Sequence, residues 1–160
     1  MTICKATLKD LNDIIEIINH AKKTMYTSGN TTQWSKNYPA KQTIVEDIKN
    51  GYCYICLHKE EAVATFTFVA GPDQTYHKIY NGEWLNNYNY YVIHRIASNN
   101  KIKGVGRKII NWCLEQNKNI RIDTHENNTV MQHLLIKSGF KYCGTIITDN
   151  GTERLAYHKD

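Results

Sequence analysis

A chain of 160 residues that is 41% hydrophobic and 22% charged suits one globular domain, 1–160, with a sizeable core. Its net charge of +5 is mild and, apart from one cluster, spread out, so a nucleic-acid binder is only a weak reading, and no apolar run approaches the roughly 20 residues of a membrane span. The N-terminal "MTICKATLKDLND" lacks a signal peptide's apolar block, so the expected compartment is the cytoplasm, with neither nucleic acid nor membrane as partner.

"TICKA" reads as a first short strand, followed by Thr7 and Asp10 in capping-box spacing and by Leu11, Ile14, Ile15 and Ile18 on one helical face. That helix is expected to stop before "SGN" at 28–30. "QWSKNYP" is an irregular connection closed by Pro39, and "QTIVEDIKNG" is a short second helix with Gly51 as its stop. "YCYICLHK" and "EAVATFTFVA" form a hairpin of β-branched and aromatic residues. Residues 71–89 are a polar, aromatic loop, in which Trp84 and Tyr88, with the following Tyr90, could face a ligand or a second subunit. "YYVIHRIAS" has apolar residues on both faces, as a central strand does. A glycine loop and helix follow, then the strand "NIRIDTH", the helix "NNTVMQHLLIKSGF" ending at Gly139, and the strands "KYCGTIITD" and "ERLAYHK". This order is that of a mixed sheet with helices on both faces.

Five cysteines are an odd number without a disulfide-like framework, which suits a reducing compartment. Cys53 and Cys56 make a C-x-x-C, but strand alternation sends their thiols to opposite faces, and no second ligand pair is present for a metal. No metal is expected.

The densest chemical signal is "NNKIKGVGRKIINWCLEQ". Gly104 and Gly106 remove Cβ where the backbone must approach something closely, and Lys101, Lys103, Arg107 and Lys108 make that something anionic. Ile109, Ile110, Cys113 and Leu114 recur at helical spacing, so the glycines open a helix whose unpaired N–H groups and positive dipole end attract an anion.

The run Lys101-Ile102-Lys103-Gly104-Val105-Gly106 after a strand and before a helix resembles the Arg/Gln-x-x-Gly-x-Gly/Ala signature of the GNAT superfamily of N-acetyltransferases. Asn128 is followed eleven and twelve residues on by Gly139 and Phe140, which resembles the later helix of that superfamily, uncharacterised bacterial members especially. The element order before residue 90 agrees. The resemblance implies a mixed, mostly antiparallel α/β (α+β) sheet with a splayed central strand pair. It also implies acetyl-CoA as cosubstrate and an amine of a small molecule or peptide as acceptor.

By the same resemblance the backbone of Ile96, Ala97 and Ser98 would pair with the pantetheine. Lys101, Lys103, Gly104, Val105, Gly106, Arg107 and Lys108 would hold the pyrophosphate, and Asn128, Gln132 and Leu135 would flank the cofactor. Three departures stand out. Lys101 replaces a planar Arg or Gln, the loop after Ser98 is about two residues shorter than is common, and Leu135 stands where the superfamily carries its general-acid tyrosine.

Transfer to an amine needs a base, because the amine arrives as ammonium. His94, taken to share a strand face with Val92 and Ile96, is the first candidate; His125 and Glu126 are alternatives. Tyr142 or water could supply the missing acid. Gln33 and Trp34, between the first two helices, are expected on the acceptor side. A non-catalytic acyl-CoA-binding module on the same fold is the alternative, and a homodimer is left open.

Overall fold

The computed structural model describes residues Met1–Asp160. Along the chain run β1 (Thr2–Lys5), α1 (Leu11–Thr27), α2 (Lys41–Lys49), β2 (Cys53–His58), β3 (Glu61–Ala70), β4 (Tyr91–Ser98), α3 (Val105–Gln116), β5 (Ile120–Thr124), α4 (Thr129–Lys137), β6 (Lys141–Ile147) and β7 (Glu153–Lys159). The seven strands form one sheet in the order β1-β2-β3-β4-β5-β7-β6, so β4 is central, as its two apolar faces require. Pairing is antiparallel for β1–β2, β2–β3, β5–β7 and β6–β7, and parallel for β4–β5, which needs α3 as its crossover. The β4–β5 register is short: Tyr91↔Ile120 and Val92↔Arg121, at the start of both strands.

Two compact units divide these contacts, one of residues 1–68 with 95–106 and the other of 69–94 with 107–160. In the first, Asp10 accepts from the Thr7 N–H (2.7 Å) and hydroxyl (3.1 Å), closing the turn that opens α1. Ile14, Ile17, Ile18 and Ala21 of α1 pack with Ile44 and Ile48 of α2, with Cys53 and Ile55 of β2 and with Ala97. The β2–β3 hairpin closes at His58↔Glu61 through Lys59 and Glu60, both left-handed (φ 49° and 68°). All five cysteines are free; burial pushes Cys53 up to about 11 and Cys56 up to about 12, so both thiols stay protonated.

The second unit is built around Tyr76, Val92, Ile146 and Ala156, with Val69, Ile79, Trp84 and Tyr90 packed against them. The loop before β4 is therefore more than a polar connection. It forms a short 3-10 turn, Gln74–Tyr76, which delivers the 1%-exposed Tyr76 ring to the core. Trp84 is tied in as well, its indole donating to the Tyr76 carbonyl at 2.9 Å. Arg121 lies 4.3 Å over the Trp84 ring and 3.9 Å over that of Tyr90. Trp84 and Tyr90 are half-buried and pack against this core, while Tyr88 is exposed, at 77%.

Candidate functional site

β4 carries the chemistry in both units. In the second unit, His94 Nε2 lies 2.8 Å from Asp73 Oδ2, with the two side chains 25% and 22% exposed. Asp73 caps the 3-10 turn: its Oδ1 accepts from the Thr75 N–H (2.9 Å) and hydroxyl (2.6 Å). Its own N–H donates to the Tyr90 hydroxyl at 2.9 Å. Burial alone would push this carboxyl up, but the hydrogen bonds from His94 and Thr75 outweigh it and hold Asp73 down at about 2. Sequence reasoning missed Asp73; a capping Asp followed by Thr75 was its only local signal.

Arg95, the next residue, has φ 51°, a left-handed backbone inside a strand. Such a break interrupts the two-residue alternation, so the face shared by His94 and Ile96 in the sequence reading does not follow. His94 instead shares its surroundings with Tyr76, whose ring centroid is 6.1 Å away. In the first unit, the Arg95 guanidinium pairs with Asp47 of α2 and reaches the Tyr38 hydroxyl at 3.3 Å. Thr67 donates to the same Asp47 carboxylate at 3.1 Å. The connection carrying Gln33 and Trp34 is thus fastened to β4 at Tyr38. Trp34 packs against the core of α1 and α2 and edge-on to Tyr38 (6.2 Å), and Gln33 accepts from Asn30 at 2.9 Å.

Past Arg95, Ile96 and Ser98 are half-buried and Ala97 is buried at 3%. Asn99 N–H donates to Val63 O (3.1 Å), and its side-chain amide to Ala62 O (3.1 Å). The chain then turns through Asn100 (φ 58°), whose N–H donates to Ser98 Oγ at 3.0 Å, and Lys101, whose N–H donates to Asn99 Oδ1 at 3.1 Å. Lys101 sends its ammonium to Glu61 (3.2 Å). It also lines a cleft of about 480 Å³ with Asp13, Glu16, His20, Glu60 and Glu61. Carboxylates outnumber cations there, so this is a poor place for a pyrophosphate, and Lys101 as it lies does not serve one.

The rest of the loop does fit an anion. Gly104 is left-handed (φ 75°), and a Cβ there would meet nothing within 4 Å, so its backbone stands open. Lys103, Arg107 and Lys108 are exposed, Val105 anchors the turn at 3% exposure, Gly106 is half-buried, and the first turn of α3 has no acid.

In the second unit, Asn128 Oδ1 accepts from Met131 N–H (3.1 Å) and caps α4, while Gln132 donates to Glu126 O (2.7 Å). Leu135 has no exposed surface. Its side chain is core, which corrects its place among cofactor contacts. Tyr142 is 51% exposed and packs edge-on to Tyr157 (5.8 Å). His125 is 8% exposed and accepts from Asn127 N–H (3.1 Å), and burial, with Arg154 near it, holds its pKa below the usual value. That is the setting of a turn residue.

No protein-family model and no curated protein matches the chain. Among solved structures, it is 32% identical to a GNAT-family acetyltransferase from Streptococcus agalactiae, with TM-score 0.90 over 99% of this chain and 94% of that one. The chain belongs to the GNAT family of acetyltransferases. A GNAT-family acetyltransferase from Listeria monocytogenes matches at 18% identity and TM-score 0.74, covering 99% of this chain and 93% of that one. A ribosomal-protein-alanine N-acetyltransferase from Brucella melitensis matches at 16% and 0.68, covering 99% of both chains. The last two likenesses concern the fold. Within GNAT proteins the acetyl donor is acetyl-CoA, and the open Gly104 loop with its exposed cations suits that cosubstrate's phosphates.

Proposed function

We propose that the chain is an acetyl-CoA-dependent N-acetyltransferase that acetylates a primary amine of a small molecule or peptide by direct attack in a ternary complex. The observation that carries this reading is the 32% identity to a GNAT-family acetyltransferase along almost the whole chain. Acetyl-CoA supplies a thioester-activated acetyl group. The backbone of Ile96, Ala97 and Ser98 aligns the pantetheine arm. The N–H groups and cations of residues 103–108 hold the phosphates, with Asn128 and Gln132 flanking. His94 receives the proton of the incoming ammonium, Tyr142 or water serves the departing thiolate, and a thiol pKa of about 8.5 makes that help a modest requirement. Gln33 and Trp34 belong to the acceptor side. The acceptor class stays open because the fold accommodates several: its structural neighbours include the ribosomal-protein-alanine enzyme and an agmatine N-acetyltransferase. We place the protein in the cytoplasm.

One observation favours a second reading, an acyl-CoA-binding module without catalysis: Leu135 is fully buried where a tyrosine acid is expected. One pair of measurements tests both. Acetyl-CoA should raise the melting temperature, because a ligand of the native state adds RT ln(1 + [L]/Kd), and Gly106→Asp should abolish the rise by placing a carboxylate at the anion site. Thiol release with a panel of amines then separates enzyme from module. No thermal shift at millimolar acetyl-CoA would sink both readings, and a shift without turnover on any amine would favour the module.

A further inference from the structure

We propose that Asp73 is a positioning residue for acetyl transfer: it holds the His94 ring with Nε2–H on the carboxylate and leaves Nδ1 as the atom that takes the amine proton. This rests on the reading of His94 as the base.

The geometry is specific. The 2.8 Å separation of Nε2 and Oδ2 is that of a charge-assisted hydrogen bond. Asp73 cannot swing away, because Oδ1 is held by both donors of Thr75 (2.9 and 2.6 Å) and the Asp73 N–H is held by Tyr90 (2.9 Å). A carboxylate only accepts, so the ring nitrogen facing it must carry the hydrogen. The neutral ring then has its lone pair on Nδ1.

The other groups around the ring leave Asp73 as the charge that acts on it. Tyr76 of the 3-10 turn lies 6.1 Å away, and its hydroxyl donates to Asp123 of β5 at 2.7 Å. Burial, reinforced by Asp123, pushes the Tyr76 phenol well above its usual value, so it stays neutral. Asp123 in turn faces Arg154 of β7 at 3.6 Å, and the Tyr90 hydroxyl already serves the Asp73 N–H.

In the step itself one ammonium N–H bond breaks, and its electron pair stays on the nitrogen as the attacking lone pair. The proton forms a bond with His94 Nδ1, and the imidazolium charge is stabilised by the Asp73 carboxylate. Water removes that proton after release.

The test uses ¹⁵N-histidine-labelled full-length protein and kcat/KM against pH with acetyl-CoA and an amine that the panel identifies. Wild-type His94 should show the Nε2–H tautomer. Asp73→Asn should move the acidic limb of kcat/KM to lower pH and reduce kcat about 10–100-fold. An Nδ1–H tautomer in the wild type overturns the proposal without any variant, so a misfolded Asp73→Asn cannot shelter it. An acidic limb that stays in place in a folded Asp73→Asn overturns it as well. If His94→Gln keeps the acidic limb, His94 is not the base. The underlying reading then fails, whatever Asp73 does to the ring.

Discussion

His158 has no exposed surface, yet its ring is fully employed. Nδ1 accepts from Leu85 N–H at 3.1 Å, and Nε2 lies 2.7 Å from Asn119 Oδ1. Burial, and then Arg121 nearby, lower its pKa from 6.5 to about 4. The folded protein therefore resists a proton that the unfolded chain accepts. Stability from this residue is complete above the unfolded pKa and is lost as pH falls from about 6.5 towards 4, by up to about 3 kcal/mol. Urea unfolding at a series of pH values should show that slope, and His158→Gln should be less stable at neutral pH but flatter through this window. An unchanged slope in the variant would assign the acid sensitivity elsewhere. Asp73 acts in a lower window, since its folded value is about 2. What sequence shows at this scale depends on how local the meaning is. Gly104 and its cations speak through neighbours in the chain. Asp73 acquires its role from a histidine 21 residues away, and Arg95 is not a residue type that announces a left-handed backbone.

Among elements, apolar spacing and β-branched runs located the α-helices and the strands, and they failed on the stretch 71–89, where aromatic residues alternate with polar ones without a period. There Tyr76 and Trp84 are core residues delivered by a turn rather than by a repeating face. The β2–β3 hairpin holds a different lesson. Its order was legible from β-branched runs, but its turn uses Lys59 and Glu60, both at positive φ, a geometry that favours Asn-Gly. Lys59→Asn with Glu60→Gly should relieve that backbone cost and add about 1 kcal/mol, seen as a rise of roughly 2–4 °C in Tm. A lower Tm would mean that the two side chains contribute more than the backbone conformation costs.

For the whole molecule, the sheet order and the helices between strands are those of the GNAT family, and the sequence carried enough of that order to be matched along its length. The assignment of contacts to two units was not legible, because each unit is made of two separated chain segments. β3 and β4 each contribute residues to both. Neither composition nor a linker marks such a division. Nor does sequence order reveal that β7 inserts between β5 and β6, since consecutive strands usually pair side by side.

That insertion has a consequence for synthesis. β7 is the last of the seven strands to leave the ribosome, and it makes five residue pairs with β5 and six with β6. Until it emerges, β5 and β6 lack the partner that joins them, and the slots of the buried Ala156, Tyr157 and His158 are empty. A nascent chain complete through β6 therefore presents unpaired edges, which are templates for aggregation. Ending the chain at Asn150 should remove more than the typical 5–15 kcal/mol that separates folded from unfolded protein. The truncated protein should show no cooperative melting of the second unit and should depend on chaperones for solubility. A sharp transition near that of the full chain would show instead that the fold closes before its final strand is made.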